Sequence, residues 1–88
     1  MDKIIDLVSQ ETGVSFEELS IPKKCGDIMD ARIVICYICI QKKFTIEQIS
    51  AKLNISTSRV FQSYKKFNRK NPKYKHLEYL IKKVQEKY

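Results

Sequence analysis

An uninterrupted apolar run in the middle of the chain limits the folds available to it. Residues 33–40 read IVICYICI and contain no charged side chain. Such a run is typical of an element that is buried on nearly all sides, and its β-branched residues would suit a strand as well as a helix. A lone strand would have no pairing partner in this sequence. We therefore predict a central helix from about Ile28 to Lys42.

The composition also favours helices. The chain has 88 residues, of which 43% are hydrophobic, and only two Gly and two Pro. This allows one modest core and few long loops, so we predict a single all-α domain of about six helices over residues 1–88. No apolar stretch approaches the ~20 residues of a membrane span, and no secretion signal is apparent. We expect a cytoplasmic protein without a membrane partner, and the lack of a linker favours a free-standing one.

The N-terminal part predicts two helices. Residues 2–12 carry apolar side chains at helical spacing, and Gly13 is typical of a helix end. Ser15 and Glu18 have the spacing of a capping box, which predicts a short helix reaching about Leu19. That helix is expected to bury Val14, Phe16 and Leu19.

The C-terminal part predicts one more helix. Asn71 and Pro72 interrupt the chain, and apolar residues at three- and four-residue spacing follow them. These apolar residues are Tyr74, Leu77, Ile81, Val84 and Tyr88. We expect this helix to pack back on the core, with His76 on its surface.

Residues 45–66, TIEQISAKLNISTSRVFQSYKK, have the pattern of a helix-turn-helix. Thr45 and Gln48 form a second capping box, Asn54 tolerates the left-handed conformation that ends a helix, and Ser56 can cap the next helix. The small Ser50 permits a close helix crossing. In the second helix the predicted apolar stripe is Val60, Phe61, Tyr64 and Phe67.

The charges are distributed unevenly along the chain. Residues 1–31 carry three lysines and seven acids, a net charge of −4, whereas residues 32–88 carry fourteen basic residues and three acids, a net of +11. A basic excess around a helix-turn-helix favours binding of a polyanion, although a solvated lysine-rich surface has the same composition. We therefore predict double-stranded DNA as the partner.

The second helix of the motif supplies the candidate DNA contacts. Arg59 can pair bidentately with guanine and Gln62 with adenine, and Thr57 and Ser58 complete the predicted base-contacting set. Hydroxyl and basic side chains around them are candidates for phosphate contacts. These are Lys23, Lys24, Lys52, Ser56, Ser63, Lys65, Lys66, Arg69 and Lys70.

Three segments carry a family resemblance: IIDLVSQETGVSFEELS at 4–20, ARIVICYICI at 31–40 and TIEQISAKLNIS at 45–56. Their order resembles the C-terminal DNA-binding domain of the bacterial replication initiator DnaA, whose core is similar to that of the Trp repressor. The resemblance covers nearly the whole chain, and GVSFEEL is its most telling part. It implies a Trp repressor-like helix-turn-helix fold and a role in replication or transcription control.

The chain departs from that family at its DNA-reading positions. The family opens its recognition helix with a glycine pair, a basic residue and an Asp-His-Thr-Thr signature, where this chain has residues 54–59, NISTSR. The family's minor-groove arginine is matched here by Asp30, which would repel phosphate. No Gly-rich GKT or GKS element is present, so ATP-driven initiation is not expected.

Metal and catalytic chemistry have little support in the sequence. Cys36, Cys39, Cys25 and His76 could be assembled into four zinc ligands, but their spacing fits no standard zinc finger. Cysteine in an apolar run behaves as a small hydrophobe. With one His and no phosphate-binding loop, we expect neither an enzyme nor a cofactor or metal.

Two functional classes remain open after this reasoning. In the first, the chain binds duplex DNA, in the nucleoid, and requires a homodimer or a larger replication or transcription assembly for specificity. In the second, the chain keeps the fold but uses one face for a protein partner. The +11 half favours DNA, whereas Asp30 and the altered recognition helix favour a protein partner.

Overall fold

The structure, a computed structural model, describes residues 2–20, 26–68 and 76–87, and for Ser20, Lys66 and Asn68 it describes the backbone alone. Within these residues the chain is all-α, with six helices and no strand, which confirms the predicted fold class. The helices are α1 Asp2–Thr12, α2 Phe16–Ser20, α3 Gly26–Gln41, α4 Ile46–Leu53, α5 Thr57–Asn68 and α6 Leu77–Lys87.

The central helix α3 contacts each of the other five helices. Its apolar run is buried as predicted, with only Tyr37 and Ile40 half-exposed among residues 33–40. A helix that is apolar on all sides can be stable only when neighbours cover all of it. The structure begins α3 at Gly26, two residues before the predicted start, and Asp30 lies in its second turn.

Local interactions shape the N-terminal helices α1 and α2. Gly13, at φ +75°, ends α1, and its N–H donates to the Ser9 carbonyl at 2.8 Å. The predicted capping box before α2 is present, because the Glu18 N–H donates to Ser15 Oγ and the Glu18 carboxylate accepts from the Ser15 N–H. The predicted burial of Phe16 is wrong, since its ring is 40% exposed at the outer edge of α2.

The turn between α4 and α5 has the local features that the sequence predicts. Thr45 and Gln48 form both bonds of the predicted capping box, and Asn54 ends α4 in the left-handed conformation at φ 55°, ψ 45°. The side chain of Ser50 donates to the Ile55 carbonyl, while the Ile55 N–H donates to the Ser50 carbonyl at 3.2 Å. Ser50 therefore fixes the turn through both its side chain and its backbone.

Aromatic contacts hold α5 against α3. Val60 is fully buried, and the Tyr37 ring lies 6.0 Å from the Tyr64 ring and 4.6 Å, edge to face, from the Phe67 ring. The predicted burial of Phe61 is wrong, because the side chain is 46% exposed. Val60 and Tyr64, four residues apart, already occupy the side of α5 that faces α3, and the backbone directs Phe61 away from it.

The last helix, α6, packs back on the core as predicted. Leu77, Ile81 and Val84 are buried, and the Gln85 amide donates to the Gln41 side chain at 2.9 Å. The Lys87 ammonium binds the Glu11 carboxylate at 2.7 Å, which ties α6 to α1. Tyr74 and Tyr88, which the sequence assigns to the same apolar stripe, lie outside the described residues.

The left-handed residue Asn54 gives a direct test of the turn between α4 and α5. Asn54→Ala should lower the free energy of unfolding by about 1 kcal/mol, because a Cβ without a polar side chain is disfavoured at positive φ. Asn54→Gly is the matched control and should cost no more than a few tenths, since glycine adopts this conformation freely. Urea denaturation measures both values. An alanine variant as stable as the parent would contradict the turn conformation.

Candidate nucleic-acid interface

Opposite its packed side, α5 presents a continuous exposed surface. Ser58, Phe61, Gln62 and Lys65 follow three- and four-residue spacing, and all four are exposed, with exposed Arg59 beside them. We call these five residues the outward face of α5. Three of the four predicted base-contacting residues belong to it.

The first turn of α5 lies directly beside this outward face. Ser56 caps the helix as predicted, since its Oγ accepts from the Arg59 N–H at 3.3 Å. Thr57, the fourth predicted base-contacting residue, is exposed at the first helical position. The remaining first-turn N–H groups have no intrahelical acceptor, so the turn offers donors to an anion.

A buried cation lies behind this surface and was missed by the sequence reasoning. Arg32 is only 6% exposed, and its Nε donates to the Leu19 carbonyl at 2.8 Å. Burial lowers the pKa of the Arg32 guanidinium below its ordinary value, and the positive charge of Arg59 lowers it further. Arg32 stands at the start of the apolar run, and this unusual position for a charge was the available signal.

The outward face carries a net positive charge. No residue of α5 is acidic, and Lys65 places its ammonium 5.3 Å from the centre of the Phe61 ring. Ser63 is half-buried and therefore less accessible than its neighbours. Of the other predicted phosphate contacts, Lys66 has only its backbone described, and Lys23, Lys24, Arg69 and Lys70 lie outside the described residues.

Lys52, another predicted phosphate contact, is engaged within the chain. Its ammonium forms an ion pair with Asp2 and lies 5.9 Å from the centre of the Phe16 ring. These side chains line a shallow pocket of about 320 Å³ together with Ile5 and Asp6. A phosphate would have to compete with Asp2 for Lys52.

Asp30 also has a partner within the chain. His76 Nε2 lies 3.1 Å from the Asp30 carboxylate, and the His76 side chain is 58% exposed at the surface, as predicted. The contact joins α3 to the residue that precedes α6. The Asp30 carboxylate therefore links α3 to the start of α6.

Cys36 and Cys39 are buried free thiols. Burial raises the pKa of Cys36 to about 12 and that of Cys39 to about 11, and proximity to Cys39 adds to the rise at Cys36. Across the described ranges no group of three or more His, Cys, Asp or Glu side chains could hold a metal ion. Cys25, the third cysteine, lies outside those ranges.

The burial of the two thiols predicts their reactivity. In a Cys25→Ser variant at pH 8, neither Cys36 nor Cys39 should react with a thiol-specific chromogenic reagent. Raised pKa values leave roughly one thiolate in a thousand or fewer at that pH, and the core blocks access. Both thiols should react in guanidinium chloride, which serves as the control. Rapid labelling of the folded variant would show that the thiols are accessible.

No protein-family model, no curated protein and no solved structure matches the chain. In the described part of the chain, no helix is both long enough and apolar enough to cross a membrane.

Proposed function

We propose that the chain binds double-stranded DNA by placing α5 in the major groove. The observation that supports this function is the outward face of α5, which combines hydrogen-bonding and positive side chains on a helix without acids. An α-helix with its side chains is ~10–12 Å across, close to the ~12 Å width of the major groove. The helix is also fixed from behind by its contacts with Tyr37.

Base reading is assigned to Thr57, Ser58, Arg59 and Gln62. The Arg59 guanidinium can donate two hydrogen bonds to O6 and N7 of guanine, and the Gln62 amide can pair with N6 and N7 of adenine. Arg59 and Gln62 are three residues apart on α5, so they can reach neighbouring base pairs. The two hydroxyl residues, at the first turn, serve either base edges or an adjacent phosphate.

Phosphate binding is assigned to the first turn of α5 and to the basic residues around it. Backbone N–H groups and the positive end of the helix dipole favour a phosphate beside Ser56. Lys65 extends the positive charge along the outward face, and Ser63 is placed at its margin. The remaining assigned contacts are Lys23, Lys24, Lys52, Lys66, Arg69 and Lys70.

A monomer of this size offers only one recognition helix, so specific binding is assigned to a homodimer or to a larger assembly. The resemblance to the DnaA C-terminal domain adds replication or transcription control as the setting, with the nucleoid as the location. Recognition of that family's own DNA box is not part of the proposal, because NISTSR replaces its signature at residues 54–59.

One observation favours a second candidate, a protein-interaction module that retains this fold. Asp30 stands where the resembling family has its minor-groove arginine, and here it binds His76. A carboxylate at that position removes a DNA contact and adds repulsion. The outward face of α5 would then bind an acidic surface of a partner protein.

Charge reversal at Arg59 tests the DNA proposal. Arg59→Glu should weaken binding of a random-sequence duplex more than tenfold at low salt, because the reversal removes a positive charge beside the DNA and places a carboxylate where it repels the phosphates. Lys82→Glu is the matched control: it makes the same charge change on an exposed residue of α6 and should alter affinity less than about twofold. Fluorescence anisotropy with a labelled duplex measures both.

Equal losses from the two reversals would mean that net charge, and not α5, controls binding. Failure of the parent protein to bind any duplex at low salt would overturn the DNA proposal and leave the protein-interaction module.

The assigned roles of Lys65 and Gln62 predict different salt and sequence dependences. Lys65→Ala should reduce the slope of log affinity against log salt by roughly 0.9, the contribution of one neutralised phosphate. Gln62→Ala should leave the slope unchanged and relax the preference for adenine at one position of a selected site. Anisotropy titrations over a salt series, with duplexes varied one base pair at a time, separate these effects. A changed slope for Gln62→Ala would move that residue to the backbone-contacting set.

A further inference from the structure

Three large hydrophobic side chains are exposed in the described part of the chain: Phe16, Phe61 and Tyr79, at 40%, 46% and 62%. Each has a lysine ammonium within 6 Å of its ring centre, so a neighbouring lysine does not distinguish them. Their helices do. Phe16 precedes two glutamates on α2 and Tyr79 follows Glu78 on α6, whereas Phe61 lies on a helix without acids.

Among the described residues, the position of Phe61 on α5 is not explained by packing in the core. Val60 and Tyr64 occupy the side that faces α3, and Phe61 projects between Ser58 and Gln62 on the outward face. An exposed aromatic ring leaves apolar area in contact with water, and covering that area with a ligand would be favourable. Of the three exposed rings, only that of Phe61 lies on the outward face of α5, where the proposed function places the DNA.

The chemistry of base edges selects the group that such a ring can recognise. In the major groove the edges of guanine, cytosine and adenine present hydrogen-bond donors and acceptors, and only thymine adds an apolar group, its C5-methyl. A phenyl ring can neither donate nor accept a conventional hydrogen bond, but it gains free energy by covering a methyl group.

We propose that Phe61 is a thymine-reading residue, whose ring packs on the C5-methyl group of a thymine in the bound duplex. This inference rests on the proposed function, because it requires α5 to lie in the major groove. It adds an apolar specificity element beside the hydrogen-bonding pair Arg59 and Gln62. The bound site is therefore expected to contain a thymine next to the bases that those two residues read.

Replacement of thymine by uracil tests the inference, because it removes only the methyl group and preserves base pairing. A duplex selected from a random pool by the parent protein is prepared with deoxythymidine or with deoxyuridine, at each position in turn. The parent should bind the duplex with uracil at the critical position roughly fourfold more weakly, the value of one buried methyl group. Phe61→Ala should bind the two duplexes equally, and the thymine duplex more weakly than the parent does.

Tyr79→Ala is the matched control, since it removes an exposed aromatic ring from α6, and it should keep the parent's discrimination between thymine and uracil. Thermal unfolding of both variants verifies that each is folded. Equal binding of the two duplexes by the parent, or full discrimination by Phe61→Ala, overturns the inference while leaving DNA binding established. Binding of both duplexes by Phe61→Ala with the parent's affinities overturns it as well, because the ring then makes no contact with the DNA. If the parent binds no duplex at all, the proposed function fails as well.

Discussion

The five other helices share only α3 as a common packing surface. Each has 5 to 12 residues, a length at which an isolated helix is marginal in water. Burial of the apolar run at residues 33–40 therefore stabilises the central helix and its neighbours together. The same coverage explains why Arg32, at the start of the run, has to bind a backbone carbonyl of α2 instead of water.

Several features that the sequence predicted correctly depend on neighbouring residues. The capping boxes at Ser15 and Thr45 and the turn at Asn54 involve groups within a few positions of one another, so local rules identify them. The errors at Phe16 and Phe61 have the opposite origin. Whether an apolar residue at the margin of a stripe is buried depends on the helix that packs opposite, and spacing carries no information about that helix. The contact of Arg32 with Leu19 was inaccessible for the same reason.

The candidate site likewise has features that could be predicted from the sequence and features that could not. The exposure of Thr57, Ser58, Arg59 and Gln62 could be predicted from the helical period, because residues between the buried positions must point outward. The engagement of Lys52 with Asp2 and of Asp30 with His76 could not, since each joins distant segments. These two pairs show how two carboxylates of the acidic N-terminal half are used: each binds a side chain of the basic half, Lys52 or His76, and links distant segments of the fold. Among the described residues neither carboxylate lies on the outward face of α5, whose positive charge they therefore leave in place.

The Tyr37 ring, wedged against both Tyr64 and Phe67, restricts the rotation of α5 about its own axis. Turning the helix by even one residue would break both aromatic contacts and replace buried Val60 with a neighbour of different size. The backbone of α5 is therefore already ordered in the folded protein, and ligand binding does not have to order it. What a ligand still has to immobilise is the set of side chains on the outward face, at ~0.5–1.5 kcal/mol for each long one. The conformational entropy lost on binding should accordingly come from these side chains and not from the backbone of α5.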